Sequence, residues 1–96
     1  MTHAQRNWET ANVSLASTAL VQGIDDEAVV LDARTERYFE LNAVGAFVLQ
    51  LIGEPHTGAE VAEAISGEFE VDVVTAASDL HDLFDALLER GLITVD

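Results

Sequence analysis

At Asn42 the spacing of apolar residues changes, and that change fixes most of what the chain can become. Ahead of it, Arg37 to Leu41 interleaves aromatic and apolar side chains with charged ones, the pattern of a half-buried strand. Behind it, Val44, Phe47, Val48, Leu51 and Ile52 fall at i, i+3, i+4, i+7 and i+8, the stripe of an amphipathic helix. Asn42 itself is a good N-cap, because its side-chain oxygen can accept from a free N–H of the first helical turn. In the strand, Leu41 and Phe39 share the face turned to the core, and Tyr38 and Glu40 point the other way. No charged strand ahead of it is predicted to cover it, so it is expected at a sheet edge. Such an edge is a row of unpaired N–H and C=O groups that can accept a further peptide strand.

The remaining segments fall into place around this junction. Residues 1–12 lack any period and read as a flexible N-terminal arm, ahead of a domain over 13–96. Trp8 fits either a free arm or an arm tucked onto the domain. A first strand is expected within 13–23, centred on Thr18 to Gln22, then a turn at Gly23 to Asp26, where Gly and Asp suit tight backbone angles. Glu27 to Asp32 is a second strand rich in β-branched residues, and Ala33 to Glu36 is a polar link of hairpin length.

After the first helix, Gly53 and Pro55 stop the run. Thr57 followed by Glu60 is a capping box for a second helix, whose apolar side is Val61, Ala62, Ile65 and Phe69. Asp72 caps the third and longest helix, with Leu80, Leu83, Phe84, Leu87 and Leu88 on a wide apolar face. Gly91 is its stop, and Arg90 suits the negative end of the helix dipole. Leu92 to Val95 can return as a short strand. The sum is an α+β fold: a three-stranded antiparallel sheet followed by three helices, winged-helix-like.

Charge narrows the partners. Eighteen acids stand against four arginines and no lysine, a net charge of −14. Nucleic acid and anionic membrane both repel such a surface. The acidity reads as a solubility device, as a complement to a basic partner, or as the mark of an acidic proteome. No stretch reaches the roughly 18 consecutive apolar residues of a membrane span, and the N-terminus lacks the apolar region of a secretory signal. The cytoplasm is the expected compartment.

Chemistry is sparse. There is no cysteine, so thiolate metal sites, disulfides and a thiol nucleophile are excluded. His3, His56 and His81 stand far apart, in the arm, a loop and a helix, without ligand spacing. No serine sits in a nucleophile elbow and no glycine-rich loop suits a phosphate. No catalytic residue, metal or cofactor is expected. A DNA-reading third helix would carry Asp79, Asp82, Asp85 and Glu89 toward phosphates, which excludes that use of the fold. What remains is a binding surface, the groove between the third strand and the third helix, floored by Tyr38, Phe39, Leu80, Leu83 and Leu87. The leucines at helical spacing read more readily as core than as a binding surface. Arg37 stands out among so few cations, and pairing with Asp32 is its plainest use.

The stretch Leu31-Asp32-Ala33-Arg34-Thr35-Glu36-Arg37-Tyr38-Phe39-Glu40-Leu41-Asn42-Ala43-Val44-Gly45-Ala46 resembles the signature of PqqD-like proteins, or RiPP recognition elements, roughly LD-x-x-T/S-G-R-Y-[FY]-x-LN-x-x-G-A. Gly53 to Thr57 is similar to that family's link before its second helix, and Phe69 to Asp72 to its second linker. Asp79-Leu80, Phe84, Leu87 and Gly91 to Ile93 are similar to its last helix and end. The resemblance spans about 27–95 in order. Glu36 stands where glycine is usual, predicting a changed hairpin turn. Phe47-Val48 stands near the usual Ile-Trp, and the first 26 residues match poorly.

The resemblance implies a non-catalytic domain that binds the leader segment of a ribosomally made precursor peptide as an added strand. It would present that precursor to maturation enzymes. Carried over by position, the peptide-binding residues are Arg37, Tyr38, Phe39, Glu40, Asp79, Leu80, Leu83 and Leu87. The implied partners are a lasso-peptide leader peptidase and cyclase, which we favour, or a radical-SAM enzyme of pyrroloquinoline quinone type. The alternative from another class is an acidic winged-helix interaction module with no part in peptide maturation.

Overall fold

The structure is a computed structural model describing residues 7–96. Its elements in chain order are β1 (Asn12–Leu15), β2 (Ala19–Ile24), β3 (Glu27–Asp32), β4 (Arg37–Leu41), α1 (Ala43–Leu51), β5 (His56–Thr57), α2 (Gly58–Phe69), α3 (Val73–Glu89) and β6 (Ile93–Val95). The expected meander is present: β2, β3 and β4 form an antiparallel sheet with β3 in the centre. Alternation in β3 buries Ala28, Val30 and Asp32, and β4 sets Leu41, Phe39 and Arg37 opposite them.

All three helices start where the sequence places their caps. Asn42 accepts from Gly45 N–H at 2.9 Å. Thr57 and Glu60 form the reciprocal capping box. Asp72 accepts from the N–H of Thr75 at 3.0 Å and from its hydroxyl at 2.9 Å. Those donors, the backbone N–H first, hold the Asp72 carboxyl below its ordinary range. At the far end of α3, Gly91 takes φ 74, Gly91 N–H donates to Leu88 C=O, and Leu92 N–H donates to Leu87 C=O. This Schellman closure satisfies carbonyls that the helix end would otherwise orphan.

The N-terminal part departs from the expectation. Two strands, not one, occupy 12–24, with a turn at Ala16 to Ala19 closed by a 3.0 Å hydrogen bond. β1 belongs to a second small sheet of order β5-β1-β6, where Val13 pairs with Val95 and Leu15 with Ile93. Its partners lie about 40 and 80 residues away along the chain, so no local pattern announces it. His56, expected in a loop, lies in β5, and the returning C-terminal strand is β6. The β2–β3 turn is shorter than expected: Gly23 and Ile24 stay in the ladder, and Asp25 takes the left-handed φ of 58. Glu36 takes φ 59, so it keeps a glycine-type backbone at a cost of about 1–2 kcal/mol.

The core runs between the two sheets and the helices, through Val13, Val30, Val48, Leu49, Ile52, Val61, Phe84 and Leu92. Trp8 joins it at 2% exposure, its ring 4.9 Å from Phe84 and its indole N–H donating to Asp85. His3 and the first six residues of the expected arm lie outside the described residues.

Candidate functional site

Hydrogen-bond phase decides what the edge of β4 offers. Ala33 N–H donates to Thr18 C=O at 2.9 Å, extending the β2–β3 ladder by one pair. Backbone groups alternate sides along a strand, so Leu31, Val29 and Glu27 turn toward β2, and Asp32, Val30 and Ala28 turn toward β4. Their partners Phe39 and Leu41 therefore bond inward, while the Arg37 N–H donates to Thr35 Oγ1 at 3.3 Å in the hairpin. The N–H and C=O of Tyr38 and Glu40 consequently point out from the sheet, and no strand pairs with β4 on that side among the described residues.

Side chains sort by the same alternation. Tyr38 is 68% exposed and stands on the outer face with Glu40. Phe39 and Leu41 are half-buried against the core. The Arg90 guanidinium, at the end of α3, lies 4.7 Å from the centre of the Phe39 ring. Such stacking suits a planar cation over an aromatic face, and it ties α3 to β4. Sequence reasoning assigned Arg90 only to the helix dipole and missed this contact.

On α3 the expected residues divide. Leu80 and Leu87 are 3% and 4% exposed and belong to the core with Phe84. Leu83 is half-buried and Asp79 exposed. Asp79, Leu80 and Leu83 line a hollow of about 80 Å³ with Val44, Phe69 and Val71. Val44 lies three residues beyond the end of β4, so the hollow continues from the strand. Wider hollows lie elsewhere, about 370 Å³ beside Trp8 and the start of α3, and about 400 Å³ on the outer face between Leu20 and Tyr38.

The hairpin ahead of β4 is anchored by a buried charge. Asp32, 3% exposed, accepts from Arg34 through its backbone N–H at 2.9 Å, Nε at 3.3 Å and a terminal nitrogen at 3.1 Å. The same guanidinium donates to the Arg90 carbonyl at 3.1 Å. Arg37, opposite Asp32 in register, is thus not its ion-pair partner. The hydrogen-bonded Arg34 guanidinium holds the Asp32 carboxyl below the usual carboxylate range, against the opposing pull of burial.

A depressed carboxyl stabilises the fold above its unfolded pKa and loses that contribution as pH falls through its folded value. Wild type is therefore expected to exceed Asp32→Asn in stability by a constant margin at neutral pH. The margin narrows below about pH 4. Urea unfolding at stepped pH checks this, and a margin unchanged into strong acid would show that the charge is not what matters.

The family model described as coenzyme PQQ synthesis protein D (PqqD) matches residues 27–93. A search of curated proteins finds no match. Among solved structures, TbiB1 in complex with the TbiA(beta) leader peptide is similar at 35% identity and a TM-score of 0.77, over 83% of this chain and 93% of that one. Lasso peptide synthetase B1 complexed with the leader peptide is similar at 30% identity and a TM-score of 0.73, over 85% and 96%.

Proposed function

The chain belongs to the PqqD family as a PqqD-like RiPP recognition element, and from that premise we propose that it binds the leader segment of a precursor peptide as a strand added to β4. The observation that carries the reading is the open edge of β4, where Tyr38 and Glu40 turn their backbone groups outward beside α3. Backbone bonds supply affinity, and side chains at Arg37, Phe39, Asp79 and Leu83 supply selectivity. Leu80 acts as a wall of the hollow, and Leu87 acts by holding α3 in place.

The domain contributes no catalytic group of its own and presents the precursor to enzymes that modify it. Two similar solved structures are complexes with leader peptides, and one of them is lasso peptide synthetase B1, which favours a leader peptidase and cyclase over a radical-SAM partner. No helix among the described residues is long and apolar enough to cross a membrane. The cytoplasm, where ribosomal precursors are made, is the compartment that goes with this role.

Hydrogen exchange tests the reading. On titration with the leader segment of its own precursor, the amides of Tyr38 and Glu40 slow markedly, while that of Phe39, already in the ladder, changes little. With a partner peptidase present, the chain lowers the apparent KM for the full precursor and converts none alone. Peptide binding that leaves the Tyr38 and Glu40 amides exchanging freely points instead to an interaction module that works through another face.

A further inference from the structure

Strand addition has a register problem. Backbone hydrogen bonds repeat every two residues, so a peptide shifted by two pairs with the edge equally well. Something beyond the ladder must pin it. The arginines supply a candidate. Three of the four lie among the described residues, and all three gather at one end of β4: Arg34 in its hairpin, Arg37 at its first position and Arg90 over Phe39.

Arg34 is neutralised by Asp32. In a chain with eighteen acids, neither Arg37 nor Arg90 has a carboxylate within ion-pair distance among the described residues. Glu36 and Glu89 are their chain neighbours and do not pair with them. Arg37 shares with Phe39 the face of β4 turned toward α3, two residues or roughly 7 Å along the strand. One guanidinium without an ion-pair partner thus lies over the Phe39 ring, and the other is carried two residues away on the same strand face. The opposite end of the groove is the mainly apolar hollow of Val44, Leu83 and Phe69, with Asp79 also in its lining.

Resting on the strand-addition reading, we infer that the bound peptide carries an aspartate or glutamate, received by Arg37 and Arg90, and that this contact fixes its register. A guanidinium fork matches a carboxylate in geometry as well as charge. The acid must point to the α3 side, as must the apolar residue that fills the hollow, and same-face residues in a strand are an even number apart. Leu41 stands four positions on from Arg37 in the five-residue strand, so the acid and the apolar anchor stand about four to six residues apart. The rest of the peptide faces a surface of net charge −14 and is favoured by being basic or neutral.

Panning a phage-displayed library of short random peptides against the whole chain tests this, with Glu40→Pro as the control for edge binding. Peptides that bind wild type and lose binding to that control are expected to share an acid at one position and an apolar residue at the stated spacing. Changing the acid to its amide weakens binding to wild type about tenfold. Arg37→Glu, on an exposed side chain, selects lysine or arginine at that position instead. Arg90→Glu provides the same comparison should Arg37→Glu lose its circular-dichroism spectrum. Edge-dependent binders with no preferred acid overturn the inference and leave strand addition standing. Binders that ignore the edge control overturn both.

Discussion

Trp8→Ala costs the domain about 3–5 kcal/mol, the range for removing a large aromatic from a packed core, although Trp8 precedes every strand and helix. Its ring is sealed against Phe84, itself fully buried, and its indole N–H bonds Asp85 on the outer side of α3. The backbone is held as well, since Gly58 N–H donates to Trp8 C=O at 2.8 Å. That approach leaves no room for a side chain: a Cβ on Gly58 would collide with the Trp8 carbonyl group. Both atoms on the Trp8 side of the contact are backbone, so the strain cannot be relieved by a rotamer change. Gly58→Ala is therefore expected to lever the Trp8 segment off α2 and lose much of the same packing. As both changes break one contact, the double variant falls well short of the sum of the two. Trp8 is the sole tryptophan, so its fluorescence reports the event directly. Emission shifts toward that of water-exposed indole in Gly58→Ala, and urea midpoints fall in all three variants. Unchanged emission and midpoint in Gly58→Ala would show that Trp8 does not pack here in solution.

What the sequence made legible follows from the range of the interactions involved. Asn42, Thr57 with Glu60, and Asp72 each act on N–H groups two or three residues away, so helix starts are written locally. The period of two in β3 and β4 is equally local, and it also fixed which side chains of β4 face the core. The split of β1 from β2, the two-residue β5 and the seat of Trp8 depend on partners far along the chain, beyond the reach of any window. The groove shows the same limit more finely. Leu80, Leu83 and Leu87 share an apolar stripe, and the stripe alone does not say which is covered. Leu80, Phe84 and Leu87 form the buried line, while Leu83 sits about 100° around the helix from Phe84, at the border where the hollow opens. Arg90 over Phe39 was within sight in the sequence only as a scarce cation at a helix end.

Phe39→Pro and Glu40→Pro are neighbouring changes with opposite consequences. Proline has no N–H, and adjacent residues aim theirs to opposite sides of a strand. The N–H of Phe39 bonds within the Val30 pair, so its loss breaks the ladder and strands a buried carbonyl. The substitution also removes a ring packed on the core and stacked beneath Arg90. Together these cost about 3 kcal/mol or more, a large share of the roughly 5–15 kcal/mol that holds a domain folded, so its urea midpoint falls sharply. The N–H of Glu40 points away from β3 and its side chain is exposed, so proline there removes no internal bond. It also confines Phe39 to the extended backbone that β4 already has. Glu40→Pro therefore keeps the spectrum and midpoint of wild type. Peptide affinity is another matter: one hydrogen bond to the incoming strand is lost, about 0.5–1.5 kcal/mol, and the ring occupies the edge the strand would approach. A fall of about tenfold or more is expected. Leu83→Asp is the companion on α3, half-buried at the hollow; it stays folded and weakens binding, whereas the same change at Leu87 unfolds the domain. Circular dichroism beside a peptide titration reads all four variants. Should both prolines fold and bind the peptide normally, β4 is not the docking edge, and the peptide must be received on another face.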